Sequence, residues 1–140
     1  MIEKELVNIH DAEVVQVDMN KLNKRLILGF QTQKTELERL FLDDVAVFRI
    51  NNFIKQNIVS RLITSLTQSI SDEEVTHWVK WTNSLDSDVM IKPEAVQNYV
   101  NRIKNKELIL LIIEPSWGAE IAVICRSFSF MDKSSKTCPT

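Results

Sequence analysis

Apolar and polar residues alternate with a period of two through much of the first fifty positions of the chain. The alternation predicts four short strands at 12–19, 25–31, 35–42 and 45–50, with polar, turn-forming residues between them. Connections this short suit antiparallel neighbours, because a parallel pair needs a crossover of about a dozen residues or more. We therefore predict that these four strands form an antiparallel meander.

The stretch 57–66 has features of both a helix and a strand. Ile58, Leu62 and Leu66 have helical spacing, whereas β-branched residues such as Ile58 and Ile63 suit a strand. Of the two interpretations, we favour a fifth strand.

The periodicity changes to that of a helix in the next part of the chain. Ser71 and Glu74 form a capping box ahead of an apolar stripe, which predicts a helix over 72–83. Pro93 suits the first position of a second amphipathic helix, where its missing N–H costs nothing. We expect both helices to pack their apolar stripes on the sheet.

Two apolar runs at 107–114 and 119–131 predict a C-terminal hairpin. Pro115 suits the second position of the intervening turn, and Gly118 suits the left-handed conformation that closes it. The run 108–113 is apolar on both faces, which is typical of a central strand covered by helices on one side. The predicted fold class is α+β, a mainly antiparallel sheet with two amphipathic helices inserted before a C-terminal hairpin.

Composition agrees with one globular domain. The 140 residues are 44% apolar and 26% charged, which is the balance of an ordinary folded protein, and a chain of this length suits a single core. We therefore expect 1–140 to be one domain that ends in a polar tail at 132–140.

Charge and hydropathy narrow the classes of partner. The formal net charge is -2, and Lys and Arg are scattered along the sequence, so nucleic acid is not an expected partner. The uninterrupted apolar runs are far shorter than the roughly 20 residues of a spanning helix, so no membrane is expected either. The amino terminus lacks the pattern of a signal peptide, and Cys125 and Cys138 are expected to stay reduced, which favours a cytoplasmic protein.

Few residues of the chain offer catalytic chemistry. The two glycines, Gly29 and Gly118, do not form a phosphate-binding loop, and we predict neither a cofactor nor a bound metal. His10 and Asp11 form an alternative polar site for a small enzyme or a ligand-binding domain, although adjacent strand residues point to opposite faces. Cys125 lies in an apolar pattern that predicts burial rather than a reactive thiol.

Aromatic side chains and carboxylates are the remaining signal. Trp78 falls within the stripe of the first helix, whereas Trp81 lies at its rim and Trp117 near the tip of the terminal hairpin. Aromatic residues at rims and loop tips can anchor protein interfaces, although local packing is the commoner explanation. The candidate binding residues are Trp117, Trp81, Asp43, Asp44, Asp86 and Asp88.

Three stretches, 9–12, 41–57 and 114–120, together with Cys125, resemble small uncharacterised bacterial domains. Some of these domains are grouped among the immunity proteins of polymorphic toxin systems, so the resemblance implies a protein that binds and neutralises a toxin. The shared motifs are structural rather than catalytic. We therefore predict a protein-binding module rather than an enzyme, with another protein such as a toxin as its partner and homo-oligomerisation left open.

Overall fold

Ten strands and two helices make up the described part of the chain. The computed structural model describes residues 9–86 and 88–131, the last of these by its backbone alone. The strands are β1 (Glu13–Asn20), β2 (Arg25–Gln31), β3 (Leu37–Asp43), β4 (Val47–Asn51), β5 (Ile58–Thr64), β6 (Ser84–Leu85), β7 (Asp88–Val89), β8 (Ile109–Trp117), β9 (Glu120–Cys125) and β10 (Ser127–Met131). The helices are α1 (Asp72–Thr82) and α2 (Pro93–Lys104).

Eight of the strands form one antiparallel sheet in the order β10-β3-β2-β1-β5-β8-β9-β4. The two edge strands of this order belong to long, bent strands. Strand β3 continues into β4, and β9 continues into β10. The ladder between them continues across the bends, where the Ala46 amide donates to the Ile124 carbonyl at 2.8 Å and the Arg126 amide to the Asp43 carbonyl at 3.1 Å. The sheet therefore closes on itself as a barrel.

The predicted meander is correct for β1, β2 and β3 and wrong for β4. Strand β4 pairs with β9 and not with β3. Asp44, which has a φ of 51°, lies where the chain bends without reversing, so β4 runs on in the direction of β3. A strand that continues in the same direction forms no antiparallel ladder with the strand before it.

The later strand predictions are largely confirmed. The ambiguous stretch forms β5, and β8 and β9 form the terminal hairpin, in which Gly118 has a φ of 87°. The position of Pro115 was predicted wrongly, because it lies within β8, opposite Val59 and beside a register shift. Proline, which donates no hydrogen bond, is tolerated at such irregular points of a ladder. The run 119–131 is split by Arg126 into β9 and β10, and the predicted tail at 132–140, with Cys138, lies outside the described residues.

Two hydrophobic cores lie on the two faces of β8. Its odd-numbered residues from Ile109 to Ile113 point into the barrel, where they meet buried residues such as Leu28 and Leu42. Its even-numbered residues, such as Ile112, point outward and pack under the two helices. The prediction of a central strand with two buried faces is confirmed, and with it the mainly antiparallel α+β fold.

The helices form a layer on the outer face of β8 and β9. The Glu74 amide donates to the Ser71 hydroxyl at 3.2 Å, as the predicted capping box requires, and Trp78 is buried against the sheet. The Lys104 ammonium lies 3.0 Å from the Asp72 carboxylate and joins the end of α2 to the start of α1. The short hairpin of β6 and β7 between the helices was not predicted.

Strand direction places three connections at the same end of the barrel. Neighbouring strands are antiparallel all round the barrel, so the connections alternate between its two ends. The connections 21–24, 52–57 and 118–119 share one end, which we call the loop end. The connection 32–36 and the long helical insertion between β5 and β8 leave from the other.

Candidate functional site

The hairpin of β6 and β7 brings together Trp81, Asp86 and Asp88, three of the six candidate binding residues. Arg49 on β4 contacts two of them, Trp81 and Asp86. Its guanidinium carbon lies 4.7 Å from the centre of the Trp81 ring, and its Nη1 donates to the Trp81 carbonyl at 3.1 Å. Its Nη2 donates to the Asp86 carbonyl at 3.5 Å, which joins the hairpin to the barrel wall.

This hairpin also exposes apolar side chains. Leu85 is 68% exposed and Met90 is 69% exposed, and Val89 between the carboxylates and Met90 is exposed as well. The Met90 amide donates to the Asn83 carbonyl at 2.8 Å, which closes the hairpin at the end of α1. We call residues Trp81, Leu85, Asp86, Asp88, Val89 and Met90 the hairpin surface.

Asp43 and Asp44 lie elsewhere, on the bend between β3 and β4. Asp43 Oδ1 accepts from Arg25 Nε at 2.7 Å, and the same guanidinium lies 5.1 Å from the centre of the Phe41 ring. Asp44 is exposed at the bend. The structure therefore separates this pair from the other candidate carboxylates, and Asp43 already has a cationic partner.

Trp117 occupies a third place, at the loop end. It is 60% exposed and lies opposite Ile58 in the ladder between β8 and β5. The five residues of β4 separate the bend at Asp44 from the connection 52–57, whereas the Val45 amide donates to the Lys24 carbonyl at 2.9 Å, so the bend adjoins the connection 21–24. Nearness to a turn in the sequence therefore does not show which candidate binding residues share a surface.

The backbone beneath Trp117 is fixed by Asn57, a buried side chain. Asn57 Oδ1 accepts from the amides of Ile54 at 2.9 Å and Ala119 at 3.0 Å, and Nδ2 donates to the Ile54 carbonyl at 2.6 Å. A Cβ on Gly118 would lie 2.6 Å from both Asn57 Oδ1 and the Gln56 carbonyl oxygen. Only glycine leaves room for this contact, and its positive φ is one that glycine adopts without strain.

The stretches that carry the sequence resemblance meet at this corner. The Val59 amide donates to the Ala12 carbonyl at 2.9 Å, and the Val14 amide donates to the Asn57 carbonyl at 2.8 Å. Asn57 in turn binds Ala119 in the third stretch. These residues close the barrel between β1, β5 and β8, so their contacts are structural.

His10 and Asp11, the alternative polar site, lie in a turn ahead of β1. Asp11 has a φ of 65°, and the Ala12 amide donates to the Ile9 carbonyl at 2.9 Å, so the backbone has the irregularity that the site needs. His10 Nδ1 lies 2.5 Å from the Ser60 carbonyl oxygen, and Nε2 lies 3.4 Å from Asp11 Oδ2. Both ring nitrogens are therefore directed at neighbouring groups of the protein, an arrangement that ties the turn to β5.

Cys125 is buried in the barrel, as its sequence pattern predicts. Burial, reinforced by the Asp43 carboxylate, raises the pKa of its thiol to about 12. A thiol that stays protonated at neutral pH is a poor nucleophile. Cys125 therefore has the properties of a core residue.

Within 9–86 and 88–131, no three His, Cys, Asp or Glu side chains come together as a metal site, and no described helix is long and apolar enough to cross a membrane. The chain matches no protein-family model, no curated protein and no solved structure.

Sequence reasoning missed the residues that build these surfaces. Arg49 reads as an ordinary polar position of a strand, and nothing in the sequence places it over Trp81. Leu22, Leu85 and Met90 interrupt polar stretches, which is a weak signal that was available. Their exposure depends on how the connections project from the barrel.

Proposed function

We propose that this protein is a protein-binding module and that its partner contacts the hairpin surface. One observation carries the proposal: two of the most exposed apolar side chains, Leu85 and Met90, project beside two carboxylates on a hairpin fixed to the barrel by Arg49. Contiguous exposed apolar side chains with a polar rim are typical of interaction sites.

The charge of the hairpin surface specifies the kind of partner. Asp86 and Asp88 are exposed, and Arg49, which contacts the hairpin from β4, donates to backbone carbonyls rather than to these carboxylates. Two exposed carboxylates beside apolar groups suit a partner with a basic surface and an apolar hollow. A basic toxin has this chemistry, and the resemblance noted above suggests that class. We also propose a cytoplasmic location for the complex.

The proposal is preferred to the enzyme hypothesis on the geometry of His10. A general acid or base needs a ring nitrogen directed toward substrate, and both nitrogens of His10 face groups of the chain itself. The enzyme hypothesis can be tested directly. It predicts turnover of a small substrate that needs no protein partner and that is lost on His10→Gln.

The experiment starts with the purified products of the neighbouring genes, each tested for binding by surface plasmon resonance. Leu85→Ser and Met90→Ser should each raise the dissociation rate roughly tenfold or more, the scale of burying one large apolar side chain. Asp86→Asn with Asp88→Asn should chiefly lower the association rate and weaken its salt dependence, because the carboxylates steer the encounter.

Two controls match these changes elsewhere on the molecule. Leu22→Ser removes an even more exposed leucine at the loop end, and Asp18→Asn with Asp44→Asn removes the same charge from β1 and the β3–β4 bend. Both controls should leave protein binding unchanged. An effect of the controls as large as that of the hairpin variants would show that the partner uses another surface.

A further inference from the structure

Strand β1 is paired on both of its sides only near its beginning. Residues 16–20 pair with β2 along their whole length. On the other side, the ladder with β5 ends at Val14, whose amide donates to the Asn57 carbonyl at 2.8 Å. Within 9–86 and 88–131, no other strand pairs with β1 on that side. We call this side of 16–20 the β1 edge.

The ladder ends at Val14 because the chain turns just before β5. Asn57 Oδ1 accepts from the Ile54 amide at 2.9 Å, and Asn57 Nδ2 donates to the Ile54 carbonyl at 2.6 Å. Both backbone groups of Ile54 are thus bonded within the turn and do not extend the ladder along β1. Every second N–H and C=O group of 16–20 points away from β2, and a row of such groups is a template for another extended chain.

Two side chains of the β1 edge point into the barrel. Val17 lies opposite Leu28 and Met19 lies opposite Leu26, and residues directly opposite each other share a face of the sheet. Leu26 and Leu28 are fully buried, whereas Val17 is 36% exposed and Met19 is half-buried. The exposure of Val17 therefore marks an opening in the barrel wall and not a position on its outer face.

The outer face of the β1 edge has an exposed carboxylate at its centre. Asp18 is exposed and lies directly opposite the apolar residue Ile27. Arg25, its diagonal neighbour on β2, donates instead to Asp43 Oδ1 at 2.7 Å. Because opposite charges on directly opposed residues stabilise a ladder, Asp18 suits a strand that has a cation at the facing position.

The same carboxylate favours a foreign segment over a second copy of this chain. The midpoint of 16–20 is Asp18, so two copies that paired antiparallel along the full edge would place their Asp18 side chains opposite each other. Like charges directly opposite destabilise a ladder. A segment of another protein with a basic residue at that position has the complementary charge.

We propose that the β1 edge binds an extended segment of a partner protein by strand addition, with apolar side chains opposite Val17 and Met19 and a lysine or arginine opposite Asp18. The recognised pattern is apolar, basic, apolar in three consecutive residues. Main-chain hydrogen bonds supply the affinity of such a complex, and the alternating side chains supply its specificity. The inference concerns a surface other than the hairpin surface and does not depend on the proposed function.

A fluorescently labelled peptide with blocked ends, Ser-Thr-Val-Lys-Val-Thr-Ser, tests the inference. We expect saturable binding to the full-length protein by fluorescence anisotropy, with slower amide exchange at 16–20 in the complex. Two further peptides are N-methylated on alternate residues, one on both valines and the other on the lysine and the threonine after it. Alternate N–H groups of a strand point to opposite sides, so one of these peptides should bind normally and the other roughly tenfold or more weakly.

Matched variants locate the binding site on β1. Replacing the lysine of the peptide by glutamate should weaken binding about fivefold, and Asp18→Lys should reverse this preference. Asp88→Lys makes the same change in net charge on the hairpin and should leave the preference unchanged. Val17→Ser should weaken binding roughly tenfold, whereas Leu37→Ser, at an equally exposed position of β3, should not. Because Asp18 is exposed, its variant keeps the test valid even if Val17→Ser fails to fold.

Three results would overturn the inference. The first is no binding of any peptide, or equal binding of both methylated peptides, which would mean that no strand is added at the β1 edge. The second is an equal effect of the Asp18 and Asp88 variants on the preference. The third is a dimer in analytical ultracentrifugation that Val17→Ser dissociates, which would assign the β1 edge to a second copy. Because the peptides are tested without any protein partner, these failures are distinguishable from a failure of the proposed function.

Discussion

The hairpin surface and the loop end both expose large apolar side chains, but they differ in charge and in support. Asp86 and Asp88 make the hairpin acidic, whereas the charged residues of the three connections at the loop end are all lysines. The hairpin is joined to the barrel wall by the Arg49 guanidinium, while the connections 52–57 and 118–119 are joined to each other by buried Asn57.

The comparison shows that apolar exposure alone does not define a binding partner. The surrounding charge decides which class of surface approaches, because it sets the rate and selectivity of encounter. The hydrogen bonds that join each surface to the barrel decide how ordered that surface is before binding. A hairpin of two two-residue strands should open locally more often than a connection bonded through a buried side chain.

The largest effect is expected in the core on which the helical layer, and with it the hairpin surface, rests. Ile112→Ala should lower the free energy of unfolding by roughly 2 to 5 kcal/mol, because Ile112 is buried under α1 and α2. Val15→Ala, at an exposed position of β1, should cost less than about 0.5 kcal/mol in the same urea titration. If Ile112→Ala also cost less than about 0.5 kcal/mol, Ile112 would not be a core residue.

A smaller effect should distinguish the loop end from the barrel wall. Gly118→Ala should cost about 2 kcal/mol or more, because the new Cβ meets backbone atoms at a positive φ. Gly29→Ala should cost less, since the backbone there is not left-handed and the new Cβ meets only the Gln16 side chain and no backbone oxygen, with the Gln16 Cβ 2.7 Å away. Urea unfolding of the two variants measures the difference, and the reverse order would contradict the role given to the Asn57 corner.

Removing the Arg49 side chain should loosen the hairpin and leave the loop end ordered. Arg49→Met should cost about 1 kcal/mol, the scale of a cation–π contact with a weak hydrogen bond. Amide hydrogen exchange should accelerate at Leu85 and Met90 and stay unchanged at Ile54 and Ala119. Equal acceleration in both regions would mean that the two surfaces are not independently supported.

The smallest effect at neutral pH is expected from the titration of Cys125. Because Cys125 lies in the barrel core, its ionisation should lower the free energy of unfolding of the whole fold, and with it the order of both surfaces. Its pKa is raised from 9.0 to about 12 in the folded state, so an unfolded chain loses this proton first as the pH rises. The contribution of the thiol to stability should be complete below pH 9 and lost progressively toward pH 12. Cys125→Ala should flatten the fall in unfolding free energy over that interval, and an unchanged slope would contradict the assignment.

The sequence was sufficient for most of the elements because their signals are local. The capping box at Ser71, Pro93 and the doubly apolar run in β8 each specify an element without reference to distant residues. The partner of β4 was not predictable in this way, because it depends on whether the bend at Asp44 reverses the chain. The alternation of apolar and polar residues shows which residues of a strand face inward, but it does not show which other strand pairs with that strand.

The candidate site was harder to predict than the fold. Carboxylates were grouped by their nearness to turns, yet Asp43 is paired with Arg25 and lies apart from Asp86. Arg49 and Trp81 lie far apart in the sequence, and only the fold brings them into contact. Surfaces built from several connections become visible only once the topology is known.

Hydrogen exchange of the complex with an identified protein partner tests the central claim, that the hairpin surface is the protein interface. The account predicts slower exchange on complex formation at the amides of 84–90, apart from any change at the loop end. Protection of 21–24 and 52–57 with none at 84–90 would contradict it, because the partner would then contact the barrel and not the hairpin surface.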